Sequence, residues 1–172
     1  MNFYLKTGGI LLLALVSSSC AVQTIKYVTP VPPAIHVSAE LQPIRIVVKN
    51  SIEYPAGYKK PQGFDANPEQ RVLLILKDRL TVNQIVAVDG EGKSKFEIEL
   101  KKFQAVREGG NWKATVGLTA ISANSDGGFD KQNIETSITR YNAVGDGDAV
   151  KAVSSALSEA LDAIHWKNFA GK

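Results

Sequence analysis

Few residue types in this 172-residue chain could carry chemistry: one cysteine, Cys20, and two histidines, His36 and His165. A hydroxyl or thiol nucleophile needs an imidazole at hydrogen-bond distance and a third group to orient it. His36 lies in a proline-flanked stretch and His165 at the end of the last periodic segment, so neither is placed beside an evident nucleophile. No Gly-x-Ser-x-Gly elbow, phosphate loop or His-Glu-x-x-His pair occurs. Asp126 and the Asp146-Gly147-Asp148 run are carboxylates in glycine-bearing loops, but a calcium site takes six or more oxygens. Turn formation and helix capping account for them. The chain therefore reads as a non-enzyme with no cofactor and no metal site.

Cys20 is the exception, because its surroundings are specific. Before it come Lys6, the apolar run Gly8–Val16 and the small residues Ser17-Ser18-Ser19. A positive charge, a short apolar stretch and a small-residue site make an export signal, and the apolar run is too short to span a bilayer as a helix. A lone cysteine closing that pattern looks like a lipobox, whose thiol is diacylated and becomes the mature N-terminus. Ser17 stands where such sites carry Leu, Val or Ile. Ser19-Cys20-Ala21 also fits ordinary small-x-small cleavage after Ala21, which would discard the thiol. On the lipobox reading, Ala21 after the cysteine resembles the sorting signal for the outer membrane. The expectation is a protein held by diacylglycerol and palmitate-type chains on Cys20 at the periplasmic face of that membrane.

A second constellation is built for contact. The segment Tyr54-Pro55-Ala56-Gly57-Tyr58-Lys59-Lys60-Pro61-Gln62-Gly63-Phe64 combines three aromatic rings with two lysines between prolines and glycines. Rings contribute large contact area and the lysines favour an anionic neighbour: a headgroup, cell-wall carboxylates or an acidic protein patch. Tyr54, Tyr58, Lys59, Lys60 and Phe64 are the candidate binding residues. The other reading folds one or two of these rings back onto the sheet as a lid. Beyond the last helix, His165-Trp166-Lys167-Asn168-Phe169 offers two more rings, read as packing over the core edge or as a docking patch.

The elements that must hold these residues follow from periodicity. Residues 1–19 read as signal peptide, 20–43 as an extended tether carrying Pro30, Pro32, Pro33 and Pro43, and 44–172 as one domain. Ala34–Val37 is also readable as an edge strand. Ile44–Val48 is β-branched and predicts a strand. Asn67 as cap, Pro68 and Glu69 open a helix whose Val72, Leu73, Leu76 and Leu80 share a face. Ile85–Val88 predicts a short strand, and Phe96, Ile98 and Leu100 alternate with polar residues until a β-bulge near Lys102-Phe103. A hairpin at Glu108–Asn111 leads to a strand carrying Trp112 to Ala120. A turn at Asn124–Asp130 leads to a strand with Ile134 and Ile138. Val150, Val153, Leu157, Leu161 and Ile164 lie on one face of a final helix, with Asp146 or Asp148 as its cap. The fold class is α+β: an antiparallel sheet of about four to five strands with two helices on one face.

Composition narrows the function. A net charge of +3 is too mild for nucleic-acid binding, and with one cysteine no internal disulfide can form. The layout of signal, lone Cys20, early helix, long strand Trp112–Ala123 and final helix Ala149–Ile164 resembles small Gram-negative envelope lipoproteins of the YajG-like family. Related architecture occurs in the TolB N-terminal domain and in auxiliary lipoproteins of envelope ABC lipid transporters. The resemblance implies a non-enzymatic envelope lipoprotein that meets the membrane through lipid on Cys20 and binds an envelope protein or cell-wall component. The alternative is an auxiliary lipoprotein of an ABC-type lipid transport system.

Overall fold

A computed structural model of the protein describes residues 34–124, 129–142 and 145–166. Cys20, the rest of 1–33, Asp126, Lys167, Asn168 and Phe169 lie outside the described residues. In chain order the elements are β1 (Ile44–Asn50), α1 (Pro68–Val82), β2 (Ala87–Val88), β3 (Ser94–Glu108), β4 (Asn111–Asn124), β5 (Phe129–Arg140) and α2 (Asp146–Asp162). They form one five-stranded sheet in the order β2-β1-β3-β4-β5 with two helices, the α+β architecture that the alternation and helical stripes predict.

The sheet is mixed rather than wholly antiparallel. β3, β4 and β5 run antiparallel to their neighbours in turn, whereas β1 is parallel to both β2 and β3. The cause is α1. A helix between two strands carries the chain back along the sheet, so the strand that follows runs in the same direction as the one before it. Ile85–Val88 contributes only the two-residue β2: the Val86 carbonyl accepts from Ile44 N–H where the parallel ladder begins, while its own N–H donates to the Gln42 side chain, at Oε1, and not to a strand.

Inward residues of the sheet and the apolar stripes of both helices make one core. Ile44, Phe96, Ile98, Leu100, Val116 and Leu118 meet Val72, Leu76, Leu80, Val153, Leu157 and Leu161, all nearly inaccessible to water. Burying each such side chain contributes about 1.5–3 kcal/mol. α2 lies across β4 and β5, where Ala149, Ala152, Ala156 and Ala160 let its backbone come close. α1 sits over β1 and β2. Arg71 and Arg79 reach from α1 to Ser154, Ser158 and Asp162 of α2, so both helices occupy the same face.

Ile35 and Leu41, within the stretch read as tether, are buried in this core. Residues 34–37 do not pair as a strand; Ile35 N–H donates to Asn83 Oδ1 at 3.0 Å, and Ala39–Leu41 forms a 3-10 turn. The register slips between Leu100 and Lys102, and the bulge returns Phe103 and Ala105 to the inward face. α1 starts where the sequence places it, with Pro68 in its first turn, and α2 does not. Asn67 occupies the N-cap of α1 without a side-chain bond, and Gly145, not an aspartate, is the N-cap of α2. Asp146 and Asp148 fall in the first turn instead, where negative charge favours the helix dipole.

Candidate functional site

β1 ends opposite Leu100, but β3 continues to Glu108, so the second half of β3 loses its neighbour on that side. The chain leaves β1 with Ser51 N–H on the Leu100 carbonyl and then covers the exposed stretch with residues 52–66. Two turns shape this cover. Tyr58 N–H closes on Pro55 O and Phe64 N–H on Pro61 O, with Gly57 at φ 77° and Gly63 at φ 86°. Positive φ at the third position of each turn is the requirement of a type II turn, and glycine meets it without strain.

Three contacts pin the loop. The Ala105 N–H, left without a strand partner, donates to the Tyr58 hydroxyl at 3.0 Å. The Phe64 ring stands edge-on to Phe103 with centroids 5.9 Å apart. Gln62 N–H donates to Asp146 Oδ2 at 2.7 Å, tying the loop to the first turn of α2. Asp146 thus anchors the loop, a contact that the capping reading missed. Burial pushes the Tyr58 hydroxyl above the usual tyrosine value, and the bond from Ala105 offsets part of that rise.

The five predicted residues thus divide by orientation. Tyr58 and Phe64 point inward and hold the loop. Tyr54, Lys59 and Lys60 remain exposed. Tyr54 stacks on Tyr58 at 4.9 Å with the rings 5° from parallel, and Lys60 Nζ lies 5.2 Å from the Tyr54 ring centre. A stacked ring with an ammonium over it is a small preorganised surface that sets positive charge beside aromatic carbon. It can seat an anionic, partly apolar group; it holds no nucleophile and no proton-transfer pair.

The remaining candidates are dispersed. His36 is exposed and lines a shallow groove of about 340 Å³ with Ser38, Gln42, Asn83 and Gln84, where no carboxylate stands by to orient it. His165 is exposed, and its backbone is tied at both N–H and C=O to the Gln132 side chain. Trp166 packs on Phe96 at 4.5 Å, covering the core edge. Among the described residues no three His, Cys, Asp or Glu converge as metal ligands, and no helix is long and apolar enough to cross a membrane.

On the sheet face away from the helices, Glu97 is only 8% exposed. Lys49 and Lys95 clamp it at 2.6 and 2.7 Å, and their hydrogen bonds hold its carboxyl below the usual glutamate range. Alternation alone places this glutamate on the solvated face of β3; here Lys49 from the neighbouring β1 and Lys95 from β3 itself supply the cations that replace water.

No protein-family model and no curated protein matches this chain. Among solved structures it is similar to a lipoprotein from Neisseria meningitidis, at 13% identity over 70% of this chain and 98% of that one, with a TM-score of 0.41. It is similar to a DUF330 protein from Xanthomonas campestris at 18% identity, 81% and 91% coverage and a TM-score of 0.46. The PelC dodecamer from Paraburkholderia phytofirmans is similar at 11% identity, 76% and 90% coverage and a TM-score of 0.46.

Proposed function

We propose that the protein is a non-enzymatic lipoprotein of a Gram-negative outer membrane, anchored through acylated Cys20, whose domain binds an anionic envelope component through the Tyr54, Lys59 and Lys60 surface. The observation that carries the reading is the lone cysteine at the end of a charged, apolar and small-residue leader. Two or more acyl chains on one terminus hold a membrane stably, where a single chain does so only marginally. A segment running from Cys20 to the buried Ile35 would give the domain a tether, and a Val31-Pro32-Pro33 sequence favours an extended path. The loop geometry supports the binding half: Tyr58 and Phe64 fix a platform on which Tyr54 and the two lysines stay exposed to a partner.

Intact-mass analysis of the mature chain tests the anchor. A terminus at Cys20 carrying diacylglycerol and an amide-linked chain supports it, and Cys20→Ser should move the protein from the membrane to the soluble periplasmic fraction. A mature chain beginning at Val22 with no lipid overturns it. Flotation of the Cys20→Ser protein with phosphatidylglycerol vesicles, compared with phosphatidylcholine vesicles, tests the surface for a headgroup partner. Lys59→Glu with Lys60→Glu should abolish any preference for the anionic vesicles.

A further inference from the structure

The sheet has two edges of unequal kind. One is β2, two residues long; the other is β5, twelve residues from Phe129 to Arg140. On its free side, β5 makes no backbone hydrogen bond among the described residues; its ladder runs to β4 alone, and α2 crosses its face rather than its edge. An open edge is a template for another strand, and soluble proteins blunt such edges with proline, bulges, charged side chains, inward charges or brevity. β5 has neither of the first two, containing no Pro and keeping an unbroken register with β4 from Trp112↔Arg140 to Ala123↔Phe129, and its exposed charges, Lys131 and Glu135, are of opposite sign. Charges on the half-buried side occur only at its ends, at Asp130 and Arg140.

The exposed side of β5 reads Lys131, Asn133, Glu135, Ser137, Thr139. Opposite charges stand two residues either side of Asn133, which makes the strand complementary to itself when reversed. Pairing β5 with an antiparallel copy about a twofold axis at Asn133 sets Lys131 against Glu135 of the second copy, and Glu135 against its Lys131. On the other side the same register sets Gln132 against Ile134 and Asp130 against Thr136, with no like charges opposed. Cross-strand pairs of opposite charge stabilise a ladder and like charges destabilise it. Lys131 has no ion-pair partner among the described residues, and Glu135 meets only the exposed Lys102.

We infer that β5 is a self-association edge: two copies of the chain pair their β5 strands antiparallel, centred on Asn133, and extend the sheet across the interface. The interface is isologous, so closure at two copies follows from its symmetry.

Cross-linking in cells making the full chain tests this. Opposed residues of an antiparallel pair have Cα atoms about 4.5–5.5 Å apart, inside disulfide range. Asn133→Cys should give an oxidant-dependent species of twice the chain's mass that the unaltered chain, with Cys20 alone, does not give. Ser137→Cys should give none, since its symmetry mate lies roughly 27 Å away along the ladder. Adding Lys131→Glu to Asn133→Cys should cut the dimer roughly fivefold or more, and adding Glu135→Lys as well should restore it, because both pairs are then re-formed with the signs exchanged. Absence of the dimer, equal cross-linking at residue 137, a product of another mass, or indifference to the charge reversal each overturns the proposal.

Discussion

Arg79 of α1 and Asp162 of α2 meet at 2.5 Å, with the arginine side chain 7% exposed and the aspartate 29%. Arg79 also donates to the Ser158 hydroxyl at 3.0 Å, so one guanidinium joins the two helices over the core. Removing one partner of a near-buried pair leaves the other charge without compensation, which costs more than replacing the charge itself. Asp162→Ala should therefore destabilise by about 2–3 kcal/mol, scaled down from a fully buried pair because Asp162 is partly solvated. Arg79→Met should cost less. Urea unfolding of both variants checks the order; an Arg79→Met loss larger than that of Asp162→Ala would contradict it.

Leu157 is 1% exposed at the centre of the buried face of α2. Leu157→Ala should cost roughly 2–5 kcal/mol through lost burial and a residual cavity. A loss under about 0.5 kcal/mol would show that α2 does not depend on that contact.

Glu97 links stability to pH. Its folded pKa is depressed by hydrogen bonds from Lys49 and Lys95, so its contribution is present above the unfolded value of about 4.3 and disappears as pH falls through the lower folded value. Glu97→Gln should flatten the acid limb of a stability-versus-pH curve and lower stability at neutral pH. An acid limb of unchanged slope would exclude Glu97 as its source.

The loop residues should separate by function. Tyr58→Ser with Phe64→Ser should lower the melting temperature by several degrees, since both rings anchor the loop on β3. Lys59→Glu with Lys60→Glu should leave it within about a degree, as exposed substitutions away from such anchors change little. Equal losses from the two pairs would mean that the rings do not anchor the loop.

Gly92 lies where a Cβ would meet the Arg45 nitrogen at 2.6 Å and the Pro43 oxygen at 2.7 Å. Both are backbone atoms that cannot swing aside. Gly92→Ala should destabilise by at least about 1 kcal/mol, whereas Gly90→Ala, with open space around it, should not.

The helices were legible because their spacing is a local property: Val153, Leu157 and Leu161 recur at helical intervals wherever they are packed. The bulge was legible for the same reason, since Leu100 and Phe103 break a two-residue period. The direction of β1 was not, because period-two alternation is the same in parallel and antiparallel strands. Nor could the loop's composition say which rings point inward. That depends on β1 stopping at Asn50 while β3 runs on to Glu108, a difference in length between strands far apart in the chain. Arg79 carried an overlooked signal: a cation three residues after Leu76, on the apolar stripe, calls for an acceptor on the element packed against it.

The hydrogen bond from Ala105 to Tyr58 makes one amide a gauge of the whole loop. Amides of β3 between Ser94 and Leu100 lie within ladders on both sides, so their exchange with solvent deuterium requires opening of the sheet. The Ala105 amide is shielded only by a phenol on a segment without ladder bonds. Its exchange rate therefore measures how often residues 52–66 lift away, at a cost below that of global unfolding. A ligand seated on Tyr54 and the lysines would slow that single amide while leaving those of the sheet interior unchanged.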